Sequence, residues 1–216
     1  MDLILRTDRP VVLTGAMRNS GLPGADGPAN ILGAIRVALS PQAHGIGPLV
    51  VFSDEIHLPR FVRKTHSSSV SAFTSPNAGP IGWITEDRVR IALRPNSSTE
   101  TFDISGVRDI PNIGIISIGL GSPALPSAVI ACHDALIIQS FGGGHVPSFM
   151  VESLAEASKI KHVVLATRTG AGEIHESTYA LKGVRARSAR ARVDQLGRAR
   201  RIQGAPAAYY AIRHRG

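Results

Sequence analysis

A single cysteine, Cys132, among 216 residues excludes an internal disulfide and a cysteine-built zinc cluster. It closes the run Ser127-Ala128-Val129-Ile130-Ala131-Cys132, where a free thiol reads as a small buried hydrophobe. No apolar run approaches the roughly 20 residues that cross a bilayer, so no membrane partner is expected. The opening Met1-Asp2-Leu3-Ile4-Leu5-Arg6 lacks the extended apolar stretch of a secretory signal, which points to a cytoplasmic chain. Acidic residues are nearly missing from one region. Residues 184–216 carry nine arginines, no lysine and one acid, Asp194, and so account for the whole formal charge of +8. The first 183 residues are balanced, and the high isoelectric point belongs to that tail.

What is present is an ordinary globular body, 43% apolar with a mean hydropathy of +0.08. Val11-Val12-Leu13, closed by Gly15, is a short apolar run of the kind that forms a parallel strand covered on both faces. Asp26 is a helix N-cap with Pro28 in the first turn, and Ile31, Ala34, Ile35 and Ala38 then fall on one helical face. Leu49-Val50-Val51-Phe52 predicts a buried strand and residues 60–64 another. Residues 81–85 and 88–93 predict a hairpin around Glu86-Asp87. Beyond a polar stretch rich in Pro, Asn and Ser, a second unit alternates strand and helix. Strands are expected at 113–118, 135–139 and 162–167. Helices are expected at 126–132 and 147–158, the latter with Phe149, Met150, Leu154 and Ala157 on one side.

These elements imply an α/β fold in which a first α/β domain with a mostly parallel sheet, residues 1–93, is joined by a linker, 94–108, to a small parallel α/β domain, 109–183. Residues 184–216, rich in Arg, Ala and Gly without a helical stripe, are expected to be disordered or the product of a shifted reading frame. Gly142-Gly143-Gly144-His145-Val146-Pro147 lies between a strand and a helix. The last glycine of a dinucleotide fingerprint falls on Pro147, so no nucleotide cofactor is expected. His57, His66, His133, His162 and His175 lack ligand spacing on any one element, and no metal is expected.

Five segments in register carry a closer likeness. They are Pro10-Val11-Val12-Leu13-Thr14-Gly15-Ala16-Met17-Arg18, Asp26-Gly27-Pro28-Ala29-Asn30 running into Ile31-Leu32-Gly33-Ala34-Ile35-Arg36-Val37-Ala38, Val50-Val51-Phe52-Ser53-Asp54-Glu55-Ile56-His57, Arg60-Phe61-Val62-Arg63-Lys64-Thr65-His66 and Phe73-Thr74-Ser75-Pro76-Asn77-Ala78-Gly79-Pro80-Ile81-Gly82. In this order they resemble the bacterial-type L-asparaginase/glutaminase family, over about residues 3–181. The resemblance implies hydrolysis of the side-chain amide of asparagine or glutamine through an acyl-threonine intermediate, without a cofactor, in a homo-oligomer. It carries over Lys64 as the lysine that, with a threonine and an aspartate, activates the nucleophile. It carries over Ala16 as the residue whose carbonyl faces the substrate amide. His145 and Glu173 become residues that reach a neighbouring subunit's site, with Glu173 holding the substrate's amino group.

Neither threonine segment of that family, Thr-Gly-Gly-Thr-Ile or Gly-Thr-Asp-Thr, occurs in these 216 residues. The expectation is therefore an asparaginase-like chain truncated at its N-terminus and inactive as it stands. Two other readings compete with it. One is a small-ligand binding remnant without hydrolysis. The other is a nucleic-acid binder acting through the arginine tail, which the neutral body argues against.

Overall fold

Hairpins, more than crossovers, build the first part of the chain. The computed structural model describes residues 1–5, 7–95, 101–172 and 174–175. Its elements are β1 (Val11–Leu13), α1 (Gly27–Leu39), β2 (Pro48–Phe52), β3 (Glu55–His57), β4 (Arg63–Lys64), β5 (Phe73–Thr74), β6 (Gly82–Thr85) and β7 (Arg88–Ile91). Then follow β8 (Ile113–Ser117), α2 (Ser127–Ala131), β9 (Ala135–Ser140), α3 (Ser148–Ile160) and β10 (His162–Thr167). The chain divides into two compact units, Met1–Gly106 and Val107–Gly216. The arginine-rich stretch 184–216 lies outside the described residues.

In the first unit a five-stranded sheet runs in the order β1-β2-β3-β6-β7, with β4 and β5 forming a separate two-stranded ribbon. The α/β reading holds, but the sheet is mixed. Among the described strands of the first unit only β1 and β2 pair in parallel, and the other pairings there are antiparallel. The reversal comes from β3, which the sequence reading missed. Ser53 and Asp54 both take positive φ, 48° and 61°, making the tight two-residue turn that folds β3 back on β2. Such turns favour Asn-Gly, and Ser-Asp gave no such signal. The strand expected over 60–64 shrinks to the two exposed residues of β4, because Phe61 and Val62 donate into a turn on the Leu58 carbonyl.

All five residues of β2 are buried, and Leu49, Val51, Ile56 and Ile84 pack under Ala34 and Val37 of α1. This corrects the helical face expected from the sequence. α1 buries Asn30, Gly33, Ala34 and Val37, while Ile31 and Ile35 are exposed. The helix is apolar nearly all round, so periodicity alone picked the wrong stripe. β1 is likewise only half-buried, with Leu13 exposed, where cover on both faces was expected. At Gly82 a Cβ would overlap the Arg90 carbonyl oxygen, so the β6–β7 pairing requires glycine there.

The second unit is the simple parallel sheet anticipated, in the order β10-β9-β8. Leu136 and Ile138 of β9 are buried at its centre, against Met150 and Leu154 of α3. Phe149, expected on that inner side, is exposed. Cys132 is also exposed, contrary to expectation. The short helix α2 buries none of its residues, and the thiol at its C-cap lies 3.2 Å from His133 Nδ1.

Candidate functional site

Ala16 sits in the loop between β1 and α1, and this loop is shaped by one carboxylate and one amide. Asp26 occupies the N-cap of α1 but does not cap the helix with its side chain. It turns back instead and accepts from Met17 N at 2.9 Å and Arg18 N at 2.8 Å. Those N–H groups, Met17 first, hold its carboxyl below the usual value of 3.8. The Asp26 carboxylate thus fixes the backbone immediately after Ala16, whose own side chain is exposed.

Asn30, one turn into α1 and 4% exposed, makes the second tie. Its Nδ2 donates to the Gly15 carbonyl at 3.0 Å and to Asp26 Oδ2 at 3.1 Å. Its Oδ1 accepts from Ser53 N at 3.0 Å. Ser53 Oγ in turn donates to the Val70 carbonyl at 2.8 Å, and Val70 leads into β5. Thr14 Oγ1 adds a bond to the Val51 carbonyl at 2.7 Å. A continuous hydrogen-bonded path therefore runs from the Ala16 loop through Asn30 and the β2–β3 turn to the ribbon that carries Lys64. Lys64 lies on β4, exposed, with Phe73 of β5 as its pairing partner. Thr65 beyond it donates from N to Ala72 O at 2.8 Å. Phe73 stacks on Phe52 of β2, ring centroids 4.0 Å apart. This geometry leaves an ammonium facing water on a short ribbon, where it can stabilise an oxyanion or a deprotonated hydroxyl brought to it.

His57 and His66, both in the matched segments, differ in surroundings. His66 is exposed, and its Nδ1 accepts from Ser68 N and Ser69 N. His57 is fully buried, 3.0 Å from Ser75 Oγ through Nδ1. Its Nε2 lies 3.3 Å from Glu55 Oε2, yet not aligned as a hydrogen bond. Burial pushes the imidazole pKa below 6.5, so the ring is neutral near pH 7 and the Glu55 contact is no ion pair there.

His145 belongs to the second unit, in the turn between β9 and α3, where Phe141 and His145 exchange backbone bonds of 2.9 and 3.0 Å. A Cβ at Gly143 would crowd the His175 ring at 3.1 Å and touch the His145 ring at 3.6 Å, so these two imidazoles flank one glycine. Thr167 Oγ1 donates to the Gly142 carbonyl at 2.6 Å and holds the turn to β10. Glu173 lies outside the described residues. Among the described residues, no group of three or more His, Cys, Asp or Glu converges as a metal site would require. No helix among them is long and apolar enough to cross a membrane.

Sequence reasoning named Lys64, Ala16 and His145 as candidates but not the residues that hold their segments in place. Asn30 and Ser53 were legible only as part of matched segments, since a lone Asn on a helix gives no signal of a bridging role.

Residues 1–97 match the family described as asparaginase, N-terminal. The chain is 33% identical over 164 residues to L-asparaginase 2 of Escherichia coli, covering 74% of this chain and 47% of that protein. It is 32% identical over 170 residues to a probable L-asparaginase, periplasmic, of Haemophilus influenzae, covering 76% and 49%. A probable L-asparaginase of Deinococcus radiodurans is 36% identical over 178 residues, covering 81% and 54%. The chain spans about half the length of these relatives. With five motif segments in register and this similarity across both units, the chain belongs to the asparaginase family.

Proposed function

We propose that the chain supplies the lysine side of an L-asparaginase-like amidohydrolase site, acting on the side-chain amide of asparagine or glutamine. The reading rests on one observation above all. The segment of Ala16 and the ribbon of Lys64, distant in sequence, are tied through the buried Asn30 and the half-buried Ser53. In this scheme a threonine hydroxyl, carried by a segment absent from the 216 residues, attacks the amide carbon. The C–N bond breaks, ammonia leaves with the proton, and water then hydrolyses the threonine ester. Lys64 lowers the cost of the deprotonated hydroxyl. The Ala16 carbonyl accepts from the substrate amide N–H₂. His145 and Glu173 complete a neighbouring subunit's pocket in a homo-oligomer, and the setting is cytoplasmic.

The test is complementation. The purified 216-residue chain should release no ammonia from asparagine or glutamine, because removing a nucleophile costs on the order of 10⁶ in rate. Adding the N-terminal fragment of an asparaginase that carries both threonine segments should restore turnover. Lys64→Ala in the complemented pair should then lower kcat by about 10²–10⁴. Equal turnover with Lys64→Ala would remove Lys64 from the mechanism, and turnover by the chain alone would overturn the scheme.

A further inference from the structure

We propose that His57 is a positioning residue for Lys64, acting through Ser75 to hold the β4–β5 ribbon against the sheet. The inference rests on Lys64 being the working residue, but its physical content concerns the ribbon alone. The ribbon shares no strand pairing with the five-stranded sheet, so side-chain contacts help to fasten it. Three fastenings fall on its return side, at Val70, Phe73 and Ser75. They reach Ser53, Phe52 and His57, all on the β2–β3 hairpin. Lys64, paired with Phe73, takes its position from β5 and hence from these contacts.

The His57 contact differs from the other two. The ring is 0% exposed and Ser75 is 5% exposed, so this bond is shielded from competing water. The arrangement is costly, since Nε2 is buried without a hydrogen bond although Glu55 lies beside it. An apolar side chain at the same place would avoid that cost, so the histidine is there for what Nδ1 does. Ser75 also begins the turn that follows β5, its carbonyl accepting from Ala78 N and Gly79 N. One buried bond therefore fixes the end of β5 and the turn beyond it. The tether needs a polar atom at the Nδ1 position, not an imidazole as such.

Amide hydrogen exchange on the full chain tests this, without any assay of activity. His57→Leu keeps the volume and removes the bond, Ser75→Ala removes it from the other side, and His57→Asn keeps a polar group near Nδ1. In His57→Leu and Ser75→Ala, the amides of the ribbon, Thr65 among them, should exchange about tenfold faster or more. The amides of β2, β3, β6 and β7 should keep their protection, and His57→Asn should restore most of the ribbon's. Unchanged ribbon exchange would overturn the proposal. So would acceleration spread evenly over the first unit, which would make His57 a core residue and nothing more. Lys64→Ala should leave this pattern alone, so failure of the catalytic reading and failure of the tether are separately visible.

Discussion

The first unit holds its candidate residues on a loop and a ribbon tied together by part-buried side-chain hydrogen bonds, whereas the second holds His145 on a glycine-rich turn of an all-parallel sheet. In the second, the buried polar side chains Ser140 and Thr167 bond to backbone carbonyls of the same sheet and its adjoining turn. Apolar packing of β9 against α3 carries most of the burial there. In the first, Asn30 joins α1 to the loop after β1 and the turn after β2, and His57 joins β3 to the turn after β5, with which β3 shares no strand pairing. A polar tie is directional and fails when one partner is lost, while an apolar contact fails by degrees. The two units should therefore respond differently to single substitutions.

The largest effect is expected at the centre of the parallel sheet. Leu136→Ala should cost about 2–5 kcal/mol, confined to β8–β10 and α3, as read by denaturant unfolding with residue-resolved exchange. Simultaneous loss of protection in the first unit would break the comparison, because the two would then be one cooperative block. Asn30→Ala comes next, at about 1–3 kcal/mol, because it leaves the Gly15 carbonyl and the Ser53 N–H unsatisfied. Its effect should stay within the first unit and should loosen the Ala16 loop and the ribbon together. Loosening of only one would cut the path proposed between them.

A smaller contrast tests the face of α1. Val37→Ala should cost about 1 kcal/mol or more, while Ile35→Ala should stay within about 0.5 kcal/mol. The reverse order would mean that the helix buries the stripe expected from its sequence. The smallest effect is that of pH. His57 has a folded pKa depressed by burial, so its contribution to the first unit is complete above the ordinary value of 6.5 and is lost as pH falls below it. Asp26 follows the same sense at lower pH, complete above 3.8 and lost below, through its bonds to Met17 and Arg18. The urea midpoint of the first unit should fall between pH 7 and 5, and His57→Leu should flatten that slope. A midpoint as steep in the variant would assign the slope to another group.

Legibility in the sequence followed the same division. The second unit could be read almost entirely, since each of its strands is a continuous apolar run and α3 shows its inner stripe at Met150, Leu154 and Ala157. The first unit was legible where strands are long and buried, as at β2, and illegible where a turn reverses the chain without a glycine, as at Ser53-Asp54. Lys64 and Ala16 came from matched segments. Periodicity carried no hint of either, because a two-residue strand and a loop have no period. Cys132 was misplaced because α2 is too short to bury a face, which the run of small apolar residues concealed.

That exposed thiol has a practical consequence. Cys132 is the sole cysteine and Trp83 the sole tryptophan of the chain. The indole lies on β6 directly across from Glu55 in the first unit, and the thiol closes α2 in the second. Each half of the chain thus carries one native spectroscopic address. Indole emission reports the sheet beside the His57 tether, and a maleimide dye on Cys132 reports the parallel sheet. The unfolding of the two units can be followed in one cuvette without introducing a single substitution.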